Sequence, residues 1–392
     1  MSSPLPGTSD PSVPSRPALS VVPSPPVTTG SGDDVTPERS ADVVPLIDIS
    51  RLRAGSEERE RFLTELRTAA HEIGFFAVVG HGIPVEVTEA VLAAARDFFD
   101  LPLAERLAIE NVRSPHFRGY SRVGTERTAG AADLREQLDL GPERPARQVG
   151  AGDPPYLRLI GPNQWPQGVP SLRPAVVRWV AEADRVSREV LRALAAALGQ
   201  GEDYFDRWFD EEATVSLKVV HYPGGDTAST TRQGVGPHKD YGYLAFVLQD
   251  DIGGLQVEAR PGHWVEVPPV PGAVVFNIGE LLEIATGGYL RATVHRVVGP
   301  PPGVDRYSVP FFLGPRLDAV VEPIVLPPEL AARAAGVAQD PDNPLLAAYG
   351  EKSLIGWLRS HPRVARRWWS DVLAAHPELP QPGAEPATEE RP

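Results

Sequence analysis

Between Thr214 and Leu313 the chain breaks into seven short runs rich in Val, Ile, Leu, Phe and Tyr, each bounded by Gly, Pro or Asp: Thr214 to Tyr222, Tyr243 to Gln249, Gly254 to Ala259, Trp264 to Val267, Ala273 to Ile278, Val294 to Val298 and Tyr307 to Leu313. Strands this short are stable only when several pair and bury a common face. Seven of them in about a hundred residues predict a double-stranded β-helix, the jelly roll, in which two sheets pack on each other. The segment before them reads differently. From Ser171, a candidate N-cap, to Gly199, Trp179, Ala183, Val186, Val190, Leu194 and Ala197 form one apolar stripe at helical spacing. The fold class predicted is therefore α+β, a jelly-roll core flanked by N-terminal and C-terminal helices.

The folded part is predicted to run from 43 to 376 as a single domain, with a helix-rich part over 43–200, the jelly roll over 213–315 and C-terminal helices over 327–376. Val43 to Ile49 reads as a strand, and Phe62, Leu66, Ala69 and Ile73 follow at helical spacing. Gly74 to Gly80 reads as a buried strand and Pro84 to Phe99 as a helix opened by its proline. Near the end, Leu345, Leu346, Tyr349, Leu354, Trp357 and Leu358 are the expected packing residues. Residues 1–42 hold nine Pro, nine Ser and four Thr and cannot bury enough surface to offset ordering entropy. They are predicted to be disordered, as is the tail 377–392.

Composition narrows the chemistry. Without cysteine there are no disulfides, thiolate nucleophiles or sulfur-based metal sites, so any metal must take nitrogen and oxygen ligands. A formal net charge of -14 argues against a nucleic-acid partner, which would call for a basic surface. No apolar run is long enough for a membrane span, and no basic start precedes an apolar core at the N-terminus, so a cytoplasmic protein without a membrane partner is expected.

Within the β-rich stretch sits Pro237-His238-Lys239-Asp240, where alternation along an extended chain sets His238 and Asp240 on one side. Nine histidines and 52 acidic residues make about one such triplet expected by chance, and His376-Pro-Glu378 is a second. Context separates them. No histidine follows His376, whereas His295 stands in a predicted strand 55 residues after Asp240. Two imidazoles and one carboxylate on one face of an octahedron leave adjacent positions open, as an iron(II) oxygenase centre requires. Eleven residues beyond His295 comes Arg306-Tyr307-Ser308, whose alternation puts a guanidinium fork and a hydroxyl on one face, suited to a carboxylate.

This arrangement resembles the isopenicillin N synthase-like family of iron oxygenases. The likeness extends to Gly74-Phe-Phe-Ala-Val-Val-Gly80-His81-Gly82-Ile83-Pro84, to Gly253-Gly-Leu-Gln256, to Phe276-Asn277-Ile-Gly279-Glu280 and to Thr293-Val-His295-Arg296-Val297, and covers about residues 43 to 360. The resemblance implies iron(II) held by His238, Asp240 and His295, which are both metal ligands and catalytic residues. It implies that Arg306 and Ser308 hold the distal carboxylate of 2-oxoglutarate and that Tyr222 assists. Asn277 is either a polar neighbour of the metal pocket or a strand-ending turn residue. His81, at a strand-to-helix junction, is read as structural.

The activity implied is oxidation, most often hydroxylation, of a C–H bond in a small, secondary-metabolite substrate, with O₂ and 2-oxoglutarate consumed. Two other readings are an oxoacid-independent iron oxidase of the isopenicillin N synthase type and a zinc-dependent hydrolase, which would not need Arg306 and Ser308. Substrate-pocket candidates are Tyr120, Arg127, Arg135 and Gln137 in the segment 117–140, with Tyr349 and Trp357 near the end. Deleting residues 1–40 should leave Tm in a thermal melt nearly unchanged; a large drop would show that this segment packs on the fold.

Overall fold

In the computed structural model, which describes residues 43–128, 131–150, 152–225, 232–337 and 345–381, the alternating runs become strands with two faces to bury. The strands are β1 (Leu46–Asp48), β2 (Phe75–Val79), β3 (Gly119–Ser121), β4 (Arg127–Thr128), β5 (Ala131–Ala132), β6 (Glu136–Leu140), β7 (Ser216–Tyr222), β8 (Gln233–His238), β9 (Leu244–Gln249), β10 (Leu255–Arg260), β11 (His263–Glu266), β12 (Val274–Ile278), β13 (His295–Val298) and β14 (Arg306–Leu313). The helices are α1 (Ser56–Glu72), α2 (Val85–Phe99), α3 (Leu103–Ala108), α4 (Leu172–Ala197), α5 (Glu280–Ala285), α6 (Pro328–Ala331), α7 (Tyr349–Ser360), α8 (Pro362–Trp368) and α9 (Ser370–Ala375). None among the described residues is long and apolar enough to cross a membrane.

A major sheet runs in the order β1-β2-β12-β9-β14-β7-β6-β3 and a minor sheet in the order β11-β10-β13-β8. The major sheet divides the apolar interior in two. On its outer face, Phe76, Phe276, Phe246, Val309, Phe311, Val219 and Leu138 belong to a large core shared with α1, α2 and α4. On its inner face, the alternate residues Phe75, Val275, Val220 and Tyr222 pack with Val235, Leu255, Val257 and Val297 of the minor sheet. This is the double-stranded β-helix, one sheet backed by helices and the other closing the barrel.

The stripe of α4 is buried as the spacing predicts, with Trp179 wholly enclosed and its ring centre 5.3 Å from that of Phe246. Ser171, however, has helical backbone angles and its side chain makes no capping bond. Pro84 likewise stands just before α2 rather than in its first turn. Two strand regions escape a pattern reading. β8 is interrupted by Gly and Pro, and β3 to β6 lie in a stretch expected to be helix-rich. Residues 1–42 and 382–392, expected to be disordered, lie outside the described residues.

Trp179→Ala should destabilise the protein by about 3–5 kcal/mol in urea unfolding, because it empties the contact between α4 and the sheet. Val177, exposed on the same helix, should tolerate Ala within about 0.5 kcal/mol. Equal effects at the two positions would contradict the packing described.

Candidate metal centre

β8 and β13 are antiparallel neighbours whose register sets His238 opposite His295, with ring centres 4.2 Å apart. Each ring is held through Nδ1, His238 by the carbonyl of Gly236 at 2.9 Å and His295 by that of Thr293 at 3.1 Å. A carbonyl oxygen only accepts, so both Nδ1 atoms carry the proton and both Nε2 atoms keep a free lone pair. Asp240 meets them. Its Oδ1 lies 3.6 Å from His238 Nε2 and its Oδ2 3.7 Å from His295 Nε2, too long for hydrogen bonds but convergent. The three donor atoms lie within 4.8 Å of one another. Burial, and then the neighbouring His295, draw the His238 pKa down to about 4, so its ring is neutral at neutral pH, the form that binds a cation.

The surroundings hold these side chains in place. Asn277, buried on the inner face of β12, donates from Nδ2 to Asp240 Oδ2 at 2.8 Å, so of the two readings of this residue the structure favours a polar neighbour of the site. The Glu280 amide donates to the Asp240 carbonyl at 2.8 Å. A Cβ on Gly279 would stand 2.1 Å from the carbonyl oxygen of Gly242, so only glycine lets the end of β12 approach the turn after Asp240. Phe75 packs edge-on to His295 at 5.1 Å.

Arg306 and Ser308 lie on the inner face of β14, opposite Tyr222 and Val220 of β7. Arg306 is almost wholly buried, 1% exposed. Its Nε donates to the Ile252 carbonyl at 3.1 Å, its Nη2 to Gln249 Oε1 at 3.1 Å, and its Cζ sits 4.8 Å from the centre of the Tyr222 ring. Among the described residues its Nη1 has no acceptor. A buried guanidinium nitrogen without a partner is costly, and a carboxylate at this place would satisfy it. Tyr307 points to the other face and stacks on His221 at 4.8 Å. The donor set and this orphan nitrogen fit an iron(II) ion with a bound oxoacid. His81, by contrast, is occupied by the Gly272 carbonyl at 3.0 Å and the Ile83 amide at 3.1 Å.

Farther along the inner face lies a charged network of which sequence reasoning offered only Arg135 and Gln137, as pocket candidates. Lys218 is on the same face of β7 as Tyr222, and its Nζ reaches Asp139 Oδ1 at 2.6 Å. His361 Nε2 lies 2.7 Å from Glu126 Oε1 and 3.3 Å from Asp139 Oδ2, Arg135 pairs with Glu126 at 2.8 Å, and Gln137 donates to both carboxylates. Glu126, Asp139 and His361 converge closely enough to ligate an ion, but Lys218 and Arg135 already supply the cations. The signal was present: one of only three lysines stands at an inward position of a buried strand. Tyr120, offered as a pocket residue, instead faces the helices and donates to Glu136.

Comparison with known proteins points the same way. Residues 44–168 match the family described as non-haem dioxygenase in morphine synthesis, N-terminal, and residues 214–315 match the 2OG-Fe(II) oxygenase superfamily. The chain is 36% identical over 354 residues to the 2-oxoglutarate-dependent dioxygenase frbJ of Dothideomycetidae sp. (strain 11243), covering 86% of this chain and 95% of that one. It is 33% identical over 293 residues to the homoarginine-6-hydroxylase 2-ODD-C23.1 of Arabidopsis thaliana, covering 72% and 87%. The crystal structure of a full-length Neurospora crassa protein in complex with alpha-KG and 5-formyluracil superimposes with a TM-score of 0.64 at 24% identity, over 86% and 98% of the two chains, and shows the shared fold.

Burial lowers the His361 pKa, but the carboxylates of Glu126 and Asp139 outweigh it and the net shift is upward. A raised folded value means that its stabilisation is complete below the unfolded pKa of about 6.5 and is lost as pH rises through the folded one. His361→Gln should therefore lower stability by about 1–3 kcal/mol at pH 6 and by less at pH 9 in chemical unfolding. A deficit independent of pH would contradict a charged His361.

Proposed function

Because this chain belongs to the iron(II)- and 2-oxoglutarate-dependent dioxygenases, we propose that His238, Asp240 and His295 hold the iron and that Arg306, with Ser308 and Tyr222, holds the distal carboxylate of 2-oxoglutarate. The observations that carry this assignment are the convergence of three oriented donors and, on the inner face of β14, a buried guanidinium with one nitrogen unpartnered among the described residues. When bound, iron(II) with 2-oxoglutarate and O₂ supplies the oxidation of a substrate C–H bond, coupled to conversion of the oxoacid to succinate and CO₂. The protein's side chains do the rest. The backbone carbonyls at Gly236 and Thr293 fix the imidazole tautomers, Asn277 orients the carboxylate of Asp240, and the apolar side chains of the barrel interior exclude water.

The reaction we assign is hydroxylation of a small organic molecule. The naming of one relative as a hydroxylase of homoarginine supports that outcome. The charged inner face around Lys218 and Asp139 supports a polar substrate. The acidic balance of the chain speaks for a small molecule over a nucleic acid.

Anaerobic addition of iron(II) and 2-oxoglutarate to the purified protein should produce a weak metal-to-ligand charge-transfer band in the visible. His238→Ala should abolish it, and Arg306→Met should raise the 2-oxoglutarate concentration needed by roughly tenfold to a hundredfold, the equivalent of losing one charge-assisted anchor. A band of full strength in His238→Ala would sink the ligand assignment.

A further inference from the structure

Arg118 precedes β3 and is 7% exposed. Unlike Arg106 and Arg135, which are also largely buried but paired with Glu136 and Glu126, it makes no ion pair or side-chain hydrogen bond with any described residue, and its Nε is enclosed without an acceptor. The guanidinium lies over Trp357 of α7, Cζ 5.8 Å from the ring centre, and against Gly141, where a Cβ would stand 2.2 Å from Nη2. It borders a cleft lined also by Thr214, Tyr349, Ser353 and Tyr241. The three candidate metal donors do not line this cleft; Tyr241 on its wall follows Asp240 directly in the chain.

Resting on the oxygenase reading above, we infer that this cleft takes the carboxylate of the organic substrate, with Arg118 as its counter-charge, so that the enzyme acts on carboxylic acids. The chemistry is that of an unmatched monocation. Asp139 is the nearest acid to act on Arg118 electrostatically, yet its oxygens are taken by Lys218, Gln137 and His361. Arg144, the other cation on the cleft, donates to the carbonyls of Glu211, Glu212 and Ala213. One guanidinium is left uncompensated, and its burial pulls its pKa down to about 10. A buried charge without a partner destabilises the empty protein, and a planar carboxylate answers the fork with two parallel hydrogen bonds. The Tyr349 hydroxyl, hydrogen-bonded with Ser353 and Thr214, closes one side, and Trp357 offers an aromatic wall for the body of the acid.

The test uses 4-fluorobenzoate and 4-fluorobenzamide, alike in shape and different in charge, titrated by fluorine NMR into the full chain loaded anaerobically with iron(II) and 2-oxoglutarate. The wild type should bind the benzoate and discriminate against the benzamide, and Arg118→Met should weaken benzoate by roughly tenfold or more. Gly141→Ala, which displaces the guanidinium without removing it, should weaken benzoate in the same direction. The ligand-free Arg118→Met protein should melt at the same or a higher temperature than the wild type, since it sheds an unpaired buried charge. Equal binding of the two probes, benzoate affinity unmoved in Arg118→Met, or a lower melting temperature would overturn the carboxylate site. The charge-transfer band of the wild type separates the two readings: with it present, these outcomes sink the carboxylate site alone, and with it absent the metal centre falls first.

Discussion

The antiparallel register of β8 with β13 is the constraint on which the candidate centre depends. It sets two imidazoles side by side, and each is turned by a carbonyl two residues earlier in the chain so that the free nitrogens aim at one point. Asp240 completes the set because β8 ends at His238 and the chain then turns tightly under Gly279. A slip of one residue in that pairing would send one ring to the opposite face of the sheet. The rest of the barrel reinforces the register: Phe75 wedges against His295, Asn277 holds the aspartate, and the apolar inner face keeps the strands together.

How much of this was legible in the sequence follows from which face of each strand is apolar. Runs such as Val274–Ile278 and Leu244–Gln249 read as strands because their outer face packs on the helices and their inner face is also largely apolar. The candidate triad was legible because His238 and Asp240 stand two apart and His295 lies in a second strand-like run, although Asp240 lies beyond the end of β8 and meets His238 through a turn rather than by alternation. Arg306 and Ser308 were legible for the same reason, and the tautomers and the orphan nitrogen needed coordinates. β6 was hidden: Glu136-Gln-Leu-Asp-Leu140 carries Gln137 and Asp139 inward, toward Lys218 and His361, and a strand with a polar interior looks like a strand with a wet surface. Ser171 misled for a different reason, since capping chemistry in the sequence does not ensure that the backbone adopts the capping conformation.

Buried charge sets the character of the inner face. Near the candidate metal donors the side chains are apolar or singly polar, whereas around β6 two carboxylates, a lysine, an arginine and a histidine pair with one another. His361 comes from the junction of α7 and α8, so this network ties the C-terminal helices to the strands of the N-terminal part. A lone pair in such a place gains little over apolar packing, but a closed ring of partners fixes geometry, because removing any one strands the others.

The division of the interior by the major sheet has a consequence for how such a chain can evolve. The helix-side core and the barrel lumen are built from opposite faces of the same strands, so residues of odd and even position in one strand answer to separate demands. Inward positions on β6 and β7 can drift toward new ligands while their sequence neighbours, facing the helices, go on supplying the folding free energy. A scaffold of this kind can diversify its specificity by substitutions spaced two apart, without having to rebuild the layer that keeps it folded.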